Sequence, residues 1–525
     1  MADALPDRGR QMSDATSGAL SAALAGAPIL LILALMFGLR WSAARAGAAG
    51  LAVAAVLALT VFDFRSQAAA VAAVHVGGVF AEGAFTSLTI LWILWPALAL
   101  HHHQQQCGAL DAMRGGLSRL SGARPVQVLL VGWFLALFFE GAAGFGTPVA
   151  LTAPILVGLG IAPVQAVVLA LLGHAGGVSF GALGTPVLAQ AALSGLDAVQ
   201  IAWRIAVLHA AVGGVLMLFF ARALAAAGPG AGAPQHAALS AAPAALAAAG
   251  FFLPSLLLAW WLGPELATLG GALVGGALLV AALRWRSSGA GPNTPGTASG
   301  VLRALWPYAL LVTLVIVTRV LPPVADLLRS VHIDWHWAGQ YSGRMQPLAH
   351  PGTLLLLALV AGARLQGVPL RSVGSSLAHA ARQLVPVTLA LLAMLCLSRL
   401  MLHAGMIDAL QRAAVGRIGE AWPLVAPAVG ALGSFITGSA TASNVLFTSL
   451  QVQTAQGLGL PVLWMASAQG FGAAIGNIVC LHNIVAGAAT VGLAGREGHI
   501  LRQTLLPCLV YLLLGGILVA AIALR

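Results

Sequence analysis

Long apolar runs alternate with short polar joints from residue 20 to residue 524. A helix needs about 20 predominantly apolar residues to cross a bilayer. Five such crossings are expected at 20–39, 46–62, 85–103, 163–190 and 200–221, and two more at 240–262 and 265–283. A last five fall at 305–321, 348–363, 384–402, 461–490 and 504–524, and a short apolar stretch at 68–81 has no place in the count. Segments 126–160 and 423–457 stand apart, because glycine and small polar residues interrupt each at its midpoint: "EGAAGFGTPVA" (140–150) and "TGSATASN" (437–444). Each is too broken for one spanning helix and has almost no polar loop to join two. Each is therefore expected to be a re-entrant hairpin of two half-helices, turning at Gly141–Pro148 and at Gly438–Asn444. Non-helical backbone at that depth is tolerated only against protein or a water-filled cavity.

The pattern repeats. "GALDAM" (108–113) returns as "GMIDAL" (405–410), a separation of 297 residues, and at the same offset Gly141 falls on Gly438. At an offset of 298, "SFGALGTPV" (179–187) lies over "NIVCLHNIV" (477–485). A near-constant register over so long a period points to duplication of a whole helix bundle. With an odd number of crossings in each copy, the two copies take opposite orientations in the membrane.

Composition agrees: 60% of the 525 residues are hydrophobic and 7% charged, against about 25% charged in soluble domains. The chain has no lysine, so its 25 basic residues are all arginine, and the net charge is +11. With the N-terminus outside, the inner loops 40–45, 104–125, 222–239, 284–303, 364–382 and 491–503 hold 14 arginines against Asp111 and Glu497. That asymmetry follows the positive-inside rule and accounts for the basic charge without a nucleic-acid partner. The first 19 residues lack a basic n-region and do not read as a cleaved signal peptide. Cys107, Cys396, Cys480 and Cys508 lack metal-ligand spacing and read as free thiols. The expected fold class is an all-α polytopic membrane protein with about 12 transmembrane helices, two re-entrant hairpins and two inverted structural repeats. Its parts are an N-terminal tail (1–19), a first repeat (20–223), two linking helices with an inner loop (224–304) and a second repeat (305–525).

Each hairpin turn leaves backbone N–H groups without intrahelical partners, and the positive end of a helix backs them, which makes an anion site. Gly141, Gly144 and Gly146 allow a ligand to approach the backbone, while Thr147, Ser439, Thr441, Ser443 and Asn444 supply side-chain partners. The second broken pair, "HAGGVSFGALGTP" (174–186) and "AAIGNIVCLHN" (473–483), adds Ser179, Thr185, Asn477, His482 and Asn483 to the candidate substrate pocket. For Gly270–Gly271 and Gly275–Gly276, helix packing is the expectation. Two acidic residues, Glu82 and Glu140, fall in membrane segments. A charge at the centre of a membrane helix costs ~2.5–3.5 kcal/mol on insertion scales, so such groups are functional candidates. Glu140 abuts the turn and is the stronger candidate for proton coupling, with His174 beside it in the scheme; Glu82 is expected near the surface. Arg204 and Arg399, near span ends, are expected to snorkel. Adjacent histidines on a helix diverge by about 100°, so His101–His102–His103 is assigned no metal site.

"EGAAGFGTPVA", "APILVGLG", "SFGALGTP", "GPEL" (263–266), "GSFITGSATASNVLF" and "AIGNIVCLHNIVAGAATVGLAGREG" together resemble the bacterial L-lactate permease family, collinearly over nearly the whole chain. The resemblance implies a proton-coupled permease for lactate and sometimes glycolate in the bacterial inner membrane, without a cofactor, and kinship with the wider ion transporter superfamily. Ala440, Thr147 and His174 depart from the family's usual residues, which leaves the particular 2-hydroxy acid open. Proton coupling also has a physical basis. A small carboxylate has a pKa near the aspartate reference of ~3.9, and moving its charge against a negative interior costs about 2.3 kcal/mol per 100 mV. One accompanying proton removes that cost; a sodium ion would do the same. The rival classes are a channel and a membrane-embedded hydrolase built on Ser179 and His174. For the hydrolase no nucleophile elbow is expected, and no H-E-x-x-H motif occurs.

Overall fold

A computed structural model describes residues 8–39, 41–62, 69–118, 123–144, 146–227, 239–286, 295–338, 341–493 and 496–524. The first part of the chain forms α1 (Arg8–Gly38), α2 (Ala43–Thr60), α3 (Ala69–Gln106), α4 (Ala109–Ser118), α5 (Arg124–Leu129), α6 (Ala136–Ala142) and α7 (Thr147–Gly158). It continues with α8 (Pro163–Ala175), α9 (Gly181–Ser194), α10 (Ala198–Val212) and α11 (Gly214–Ala226). Two linking helices follow, α12 (Ala241–Trp261) and α13 (Pro264–Arg286). The second part holds α14 (Pro295–Val320), α15 (Pro322–Ser330), β1 (Ile333–Trp337), β2 (Tyr341–Met345), α16 (Pro351–Leu365), α17 (Leu370–His403) and α18 (Met406–Arg417). It ends with α19 (Trp422–Thr437), α20 (Ala440–Gly457), α21 (Val462–Gly476), α22 (Leu481–Thr490) and α23 (Glu497–Ala523). Helices dominate because lipid offers no partner for backbone N–H and C=O groups, and a helix satisfies both within itself.

Among the described residues, ten helices are long and apolar enough to cross a membrane, or up to 12 if each of two bent pairs counts as one span. The bent pairs are α8 with the segment Val178–Ser194, at 61°, and α10 with α11, at 49°. The membership of the set differs from the sequence expectation at several points. The unplaced stretch 68–81 supplies, from Ala69 onward, the start of α3, which runs for 38 residues. Residues 8–19 of the expected tail belong to α1. The expected crossing at 348–363 is α16, only 15 residues long, or about 22 Å of helix against a ~30 Å hydrocarbon core. The first hairpin is lopsided: its first arm, Arg124–Ala142, is 19 residues long and apolar enough to cross. That arm contains a π-helical stretch at Leu130–Leu135, and α7, its return, has 12 residues. The arms of the second hairpin, α19 and α20, have 16 and 18. The fold is also not wholly helical, since β1 and β2 pair antiparallel, with Ile333 opposite Met345 and Trp337 opposite Tyr341.

The order of elements recurs at the offset read from the sequence. α3, α4, the α5–α6 arm, α7, α8, α9 and α10–α11 match α17, α18, α19, α20, α21, α22 and α23 in turn, and α4 and α18 start at Ala109 and Met406, 297 residues apart. α3 and α17, partners in this register, pack against each other and run antiparallel. Gly83 lies against Cys396, and further along Trp95 Nε1 donates to the Leu377 carbonyl at 2.9 Å. Each hairpin's first arm also touches the broken helix behind it through glycine. A Cβ on Gly173 would overlap the Gly132 carbonyl, and one on Gly472 would overlap the Pro427 carbonyl. Small residues permit this backbone-to-backbone approach where no hydrophobic effect drives helices together.

Candidate functional site

The two hairpin turns and the two helix breaks meet at one buried cavity. Glu140 and Gly144 line it from the first turn, and Gly438, Ser439, Ala440 and Thr441 from the second. Val178, Gly181, Ala182, Thr185 and Pro186 come from the break between α8 and α9, and Asn477 from the end of α21. The cavity measures about 30 Å³, room for a water or two.

The local chemistry of the turns explains why helices begin here. Gly146 (φ 77°) precedes Thr147–Pro148, and Gly184 (φ 78°) precedes Thr185–Pro186. In both, the threonine hydroxyl donates back three residues, Thr147 to the Gly144 carbonyl at 2.7 Å and Thr185 to the Ala182 carbonyl at 2.6 Å. Proline then presets the first helical turn, where its missing N–H costs nothing. "GTPV" thus occurs twice, at 146–149 and 184–187, as one device for starting a helix inside the protein. Ser439 starts α20 differently, its Oγ accepting from the Ala442 N–H at 3.2 Å. The first turns of α20 and of the resumed α9 border the cavity with their positive ends, and Gly144, Gly438 and Asn477 bring the C-terminal ends of α6, α19 and α21 to the same wall.

The α9 start is strained. Ala182 (φ 43°) and Leu183 (φ 56°) are left-handed although neither is glycine, at roughly 1–2 kcal/mol each. The carboxylate Oε1 of Glu140 sits against the Cα of Gly181, where a Cβ would collide with it, and Pro264 fills the equivalent space at Gly184. The "GPEL" start of α13 therefore buttresses the cavity wall from behind.

Glu140 faces His174. Its Oε2 lies 4.0 Å from His174 Nε2, and both residues are buried. His174 Nδ1 donates to the Ala170 carbonyl at 2.7 Å, which turns Nε2 towards the cavity. Asn477 Oδ1 lies 3.4 Å from that Nε2 and accepts from Asn483 Nδ2. Asn483 Oδ1 is left as a buried acceptor without a partner, packed on Gly146. With Nδ1 protonated towards Ala170, a second proton taken up on Nε2 would lie 3.4 Å from the Asn477 amide oxygen and 4.0 Å from the Glu140 carboxylate.

Other candidates lie elsewhere. Gly141 is a packing residue, since a Cβ there would strike the backbone of Leu269. Ser443 Oγ donates to the Gly430 carbonyl at 2.7 Å and accepts from Gln469 Nε2 at 3.1 Å. Asn444 Nδ2 donates to the Pro186 carbonyl at 3.1 Å. Both side chains are fully buried between helices and neither lines the cavity. Their polarity holds the second hairpin against α21 and α9. His482 lies on the wall of a separate, larger recess of about 1450 Å³. That recess is also lined by Trp41, Leu94, Leu98, Leu384, Met394 and Glu497, and it shares Gly438, Ser439 and Thr441 with the small cavity.

Ser179 is likewise off the cavity. The letters Gly177–Gly181 do fit G-x-S-x-G, contrary to the expectation of no elbow, but no strand precedes the serine as an elbow requires. Its Oγ is hydrogen-bonded to His209 Nε2 at 2.9 Å and donates to the Gly470 carbonyl at 3.1 Å, fully buried. His209 in turn reaches the Tyr511 hydroxyl at 2.9 Å. This network joins helices and exposes no nucleophile. Among the described residues no group of three or more His, Cys, Asp or Glu side chains is placed to hold a metal.

Two further expectations change. Glu82 is buried rather than near the surface, with His403 Nε2 at 3.0 Å and Arg399 Nε at 3.7 Å from its Oε2. Arg399 therefore does not snorkel to water. Arg204 stacks over Trp203 and Trp464, 4.5 and 5.5 Å from their ring centroids. Of the cavity wall, sequence reasoning missed Val178, Gly181, Ala182, Pro186 and Gly438 as lining residues; the repeated "GTPV" was the signal that marked the α9 start.

Discontinuous helices whose broken ends converge on a buried cavity define a membrane transporter rather than an enzyme. The chain belongs to the L-lactate permease family, whose pattern matches residues 21–524, and it is a multi-pass protein of the bacterial inner membrane. It is 30% identical to an L-lactate permease of Streptococcus iniae over 399 residues, 74% of this chain and 82% of the relative. It is 28% identical to the glycolate permease GlcA of Escherichia coli K12 over 546 residues, 95% of each chain. Among solved structures it is similar to the Alcanivorax borkumensis YdaH transporter, with a TM-score of 0.47 and 15% identity, covering 85% of this chain and 86% of that one.

Proposed function

We propose that the protein imports L-lactate or a related 2-hydroxy monocarboxylate, such as D-lactate or glycolate, together with a proton. The permease names of its relatives support the substrate class. The observation that carries the reading is Glu140 facing His174 on the wall of a cavity bordered by helix N-termini. The amides and hydroxyls of Ser439, Thr441 and Thr185 suit a carboxylate, and Asn477 and Asn483 suit the 2-hydroxyl. Glu140 and His174 then exchange the coupled proton.

Opposite orientation of the two copies is part of the proposal. Its support is that α3 and α17, equivalent helices in the repeat register, run antiparallel in contact. The expected arginine asymmetry places the large recess on the cytoplasmic side, because Ser42 and Glu497 in its wall belong to the inner loops. The cavity as it stands is too small for a lactate of six heavy atoms. Substrate release then requires movement of the shared Gly438–Thr441 wall, as expected of alternating access around a fixed site.

The test is uptake by purified protein in liposomes, with a panel of short carboxylates and separate proton and sodium gradients. Counterflow of lactate with accumulation driven by a proton gradient is the expected result. Accumulation driven only by sodium would reassign the coupling ion, and downhill flux alone would make the protein a channel.

A further inference from the structure

Outside the cavity, a cluster of ionisable side chains lies under the β1–β2 hairpin. An isolated two-stranded hairpin is at best marginally stable, and this one is anchored along α3. Tyr341 is 1% exposed. Its ring lies flat against Gly78, where any Cβ would collide with it. Its hydroxyl is 2.9 Å from His75 Nδ1, and its ring centroid is 4.9 Å from that of His403. The next residue, Ser342, donates its N–H to Glu82 Oε1 at 3.2 Å. Glu82 Oε2 meets His403 and Arg399, both on α17, and Arg399 Nη2 also donates to the Ala192 carbonyl of α9 at 3.0 Å. The buried carboxylate thus ties together the hairpin, α3, α17 and the far end of the helix whose start forms the cavity.

The position of this cluster gives it a role. Leu94 and Leu98 in the later half of α3, and residues from Leu384 to Met394 across the middle of α17, line the large recess. Glu82 precedes Leu94 by 12 residues, about 18 Å along the helix, so recess and cluster are well separated along α3, while on α17 the recess reaches Met394, five residues short of Arg399. The cavity lies between them. Thr185 lines it, and seven residues on, about 10 Å, Ala192 bonds to Arg399. Ala189, Leu193, Leu397 and Leu400 fill the interval and are buried.

We propose that the β1–β2 hairpin is the gate on the side of the cavity away from the recess, and that Tyr341 in its Gly78 notch, with Glu82, His403 and Arg399, is the latch that holds it shut. The inference rests on reading the protein as an alternating-access carrier. Its test does not require transport.

In full-length protein with its four cysteines replaced by serine, a cysteine at Ala189 reports on the sealed interval. A membrane-impermeant thiol reagent is applied from the hairpin side, and the labelling rate is compared between variants. Gly78→Ala removes no polar group and favours the helix, yet its methyl displaces the Tyr341 ring. Gly78→Ala and Tyr341→Ala should each raise the labelling rate about tenfold or more, the scale of losing a buried hydrogen bond and its packing in an opening equilibrium. Glu82→Gln should act in the same direction. If that variant misfolds, the other two decide. Rates within about twofold of the parent for both Gly78→Ala and Tyr341→Ala, on the same scale, would overturn the gate and leave the cluster as a fold anchor. Lactate counterflow in the same vesicles tests the carrier reading separately.

Discussion

Glu140 Oε2 and His174 Nε2 stand 4.0 Å apart across the first helix break, with the Asn477 amide oxygen beside them. The pair joins the hairpin arm α6 to α8, so a proton moving between them is tied to the geometry of the turn. Replacing Glu140 by glutamine keeps the shape and fixes a neutral group in place. Lactate exchange across Glu140→Gln vesicles should persist, while accumulation driven by a pH gradient should disappear. Intact pH-driven accumulation would remove Glu140 from the coupling scheme and leave His174 as the residue to test.

Ser443 and Asn444 separate binding from folding. Ser443→Ala leaves the Gly430 carbonyl and the Gln469 amide short of partners in a buried site, a loss of roughly 1–3 kcal/mol. Thermal unfolding in detergent should shift downward for Ser443→Ala and Asn444→Ala, while lactate affinity of the folded fraction stays close to the parent's. Thr441→Val should do the reverse. It removes a hydroxyl on the cavity wall, and a hydrogen bond to a charged ligand is worth about 1.5–3 kcal/mol, so affinity should fall about tenfold or more.

Gly472 tests the packing of the repeat. A methyl there would fall on the Pro427 carbonyl, backbone that a rotamer change cannot move aside. Overpacking of this kind costs typically 1–3 kcal/mol, occasionally more, so Gly472→Ala should lower yield and melting temperature. Gly498→Ala, whose Cβ meets nothing within 4 Å, is the control and should behave as the parent does.

Topology is open to a direct check. Asp334 on β1 and Ser375 on α17 are both exposed, and the inverted arrangement puts them on opposite faces of the membrane. With single cysteines in a cysteine-free background, an impermeant reagent added outside should label Asp334→Cys in intact cells. Ser375→Cys should react only after permeabilisation. Equal labelling from outside would contradict the arrangement.

Much of the fold was legible because membrane insertion depends on local properties. Apolar length, arginine bias and a 297-residue register are all readable along one dimension, and α4 and α18 begin where that register puts them. The boundaries that went astray did so where length alone misleads. α16 is apolar but short, and the Arg124–Ala142 arm is long enough to cross although it ends in a re-entrant turn. The β-hairpin was unreadable for a related reason, since its place is fixed by contacts with α3 and α17, 250 or more residues and a whole repeat away for α3.

The candidate site divides along the same line. By itself the sequence determined that two glycine-rich turns and two further helix breaks lie at membrane depth, because glycine, Thr-Pro and a lone glutamate are local instructions to stop one helix and start another. Which side chains face the cavity was decided only by tertiary packing. Ser443 and Ser439 are four residues apart at the same turn, yet Ser439 lines the cavity and Ser443 bonds to Gly430. A helix start fixes where side chains leave the backbone, but the neighbouring helices α19, α21 and α9 determine which direction is filled by protein and which is left open to a substrate.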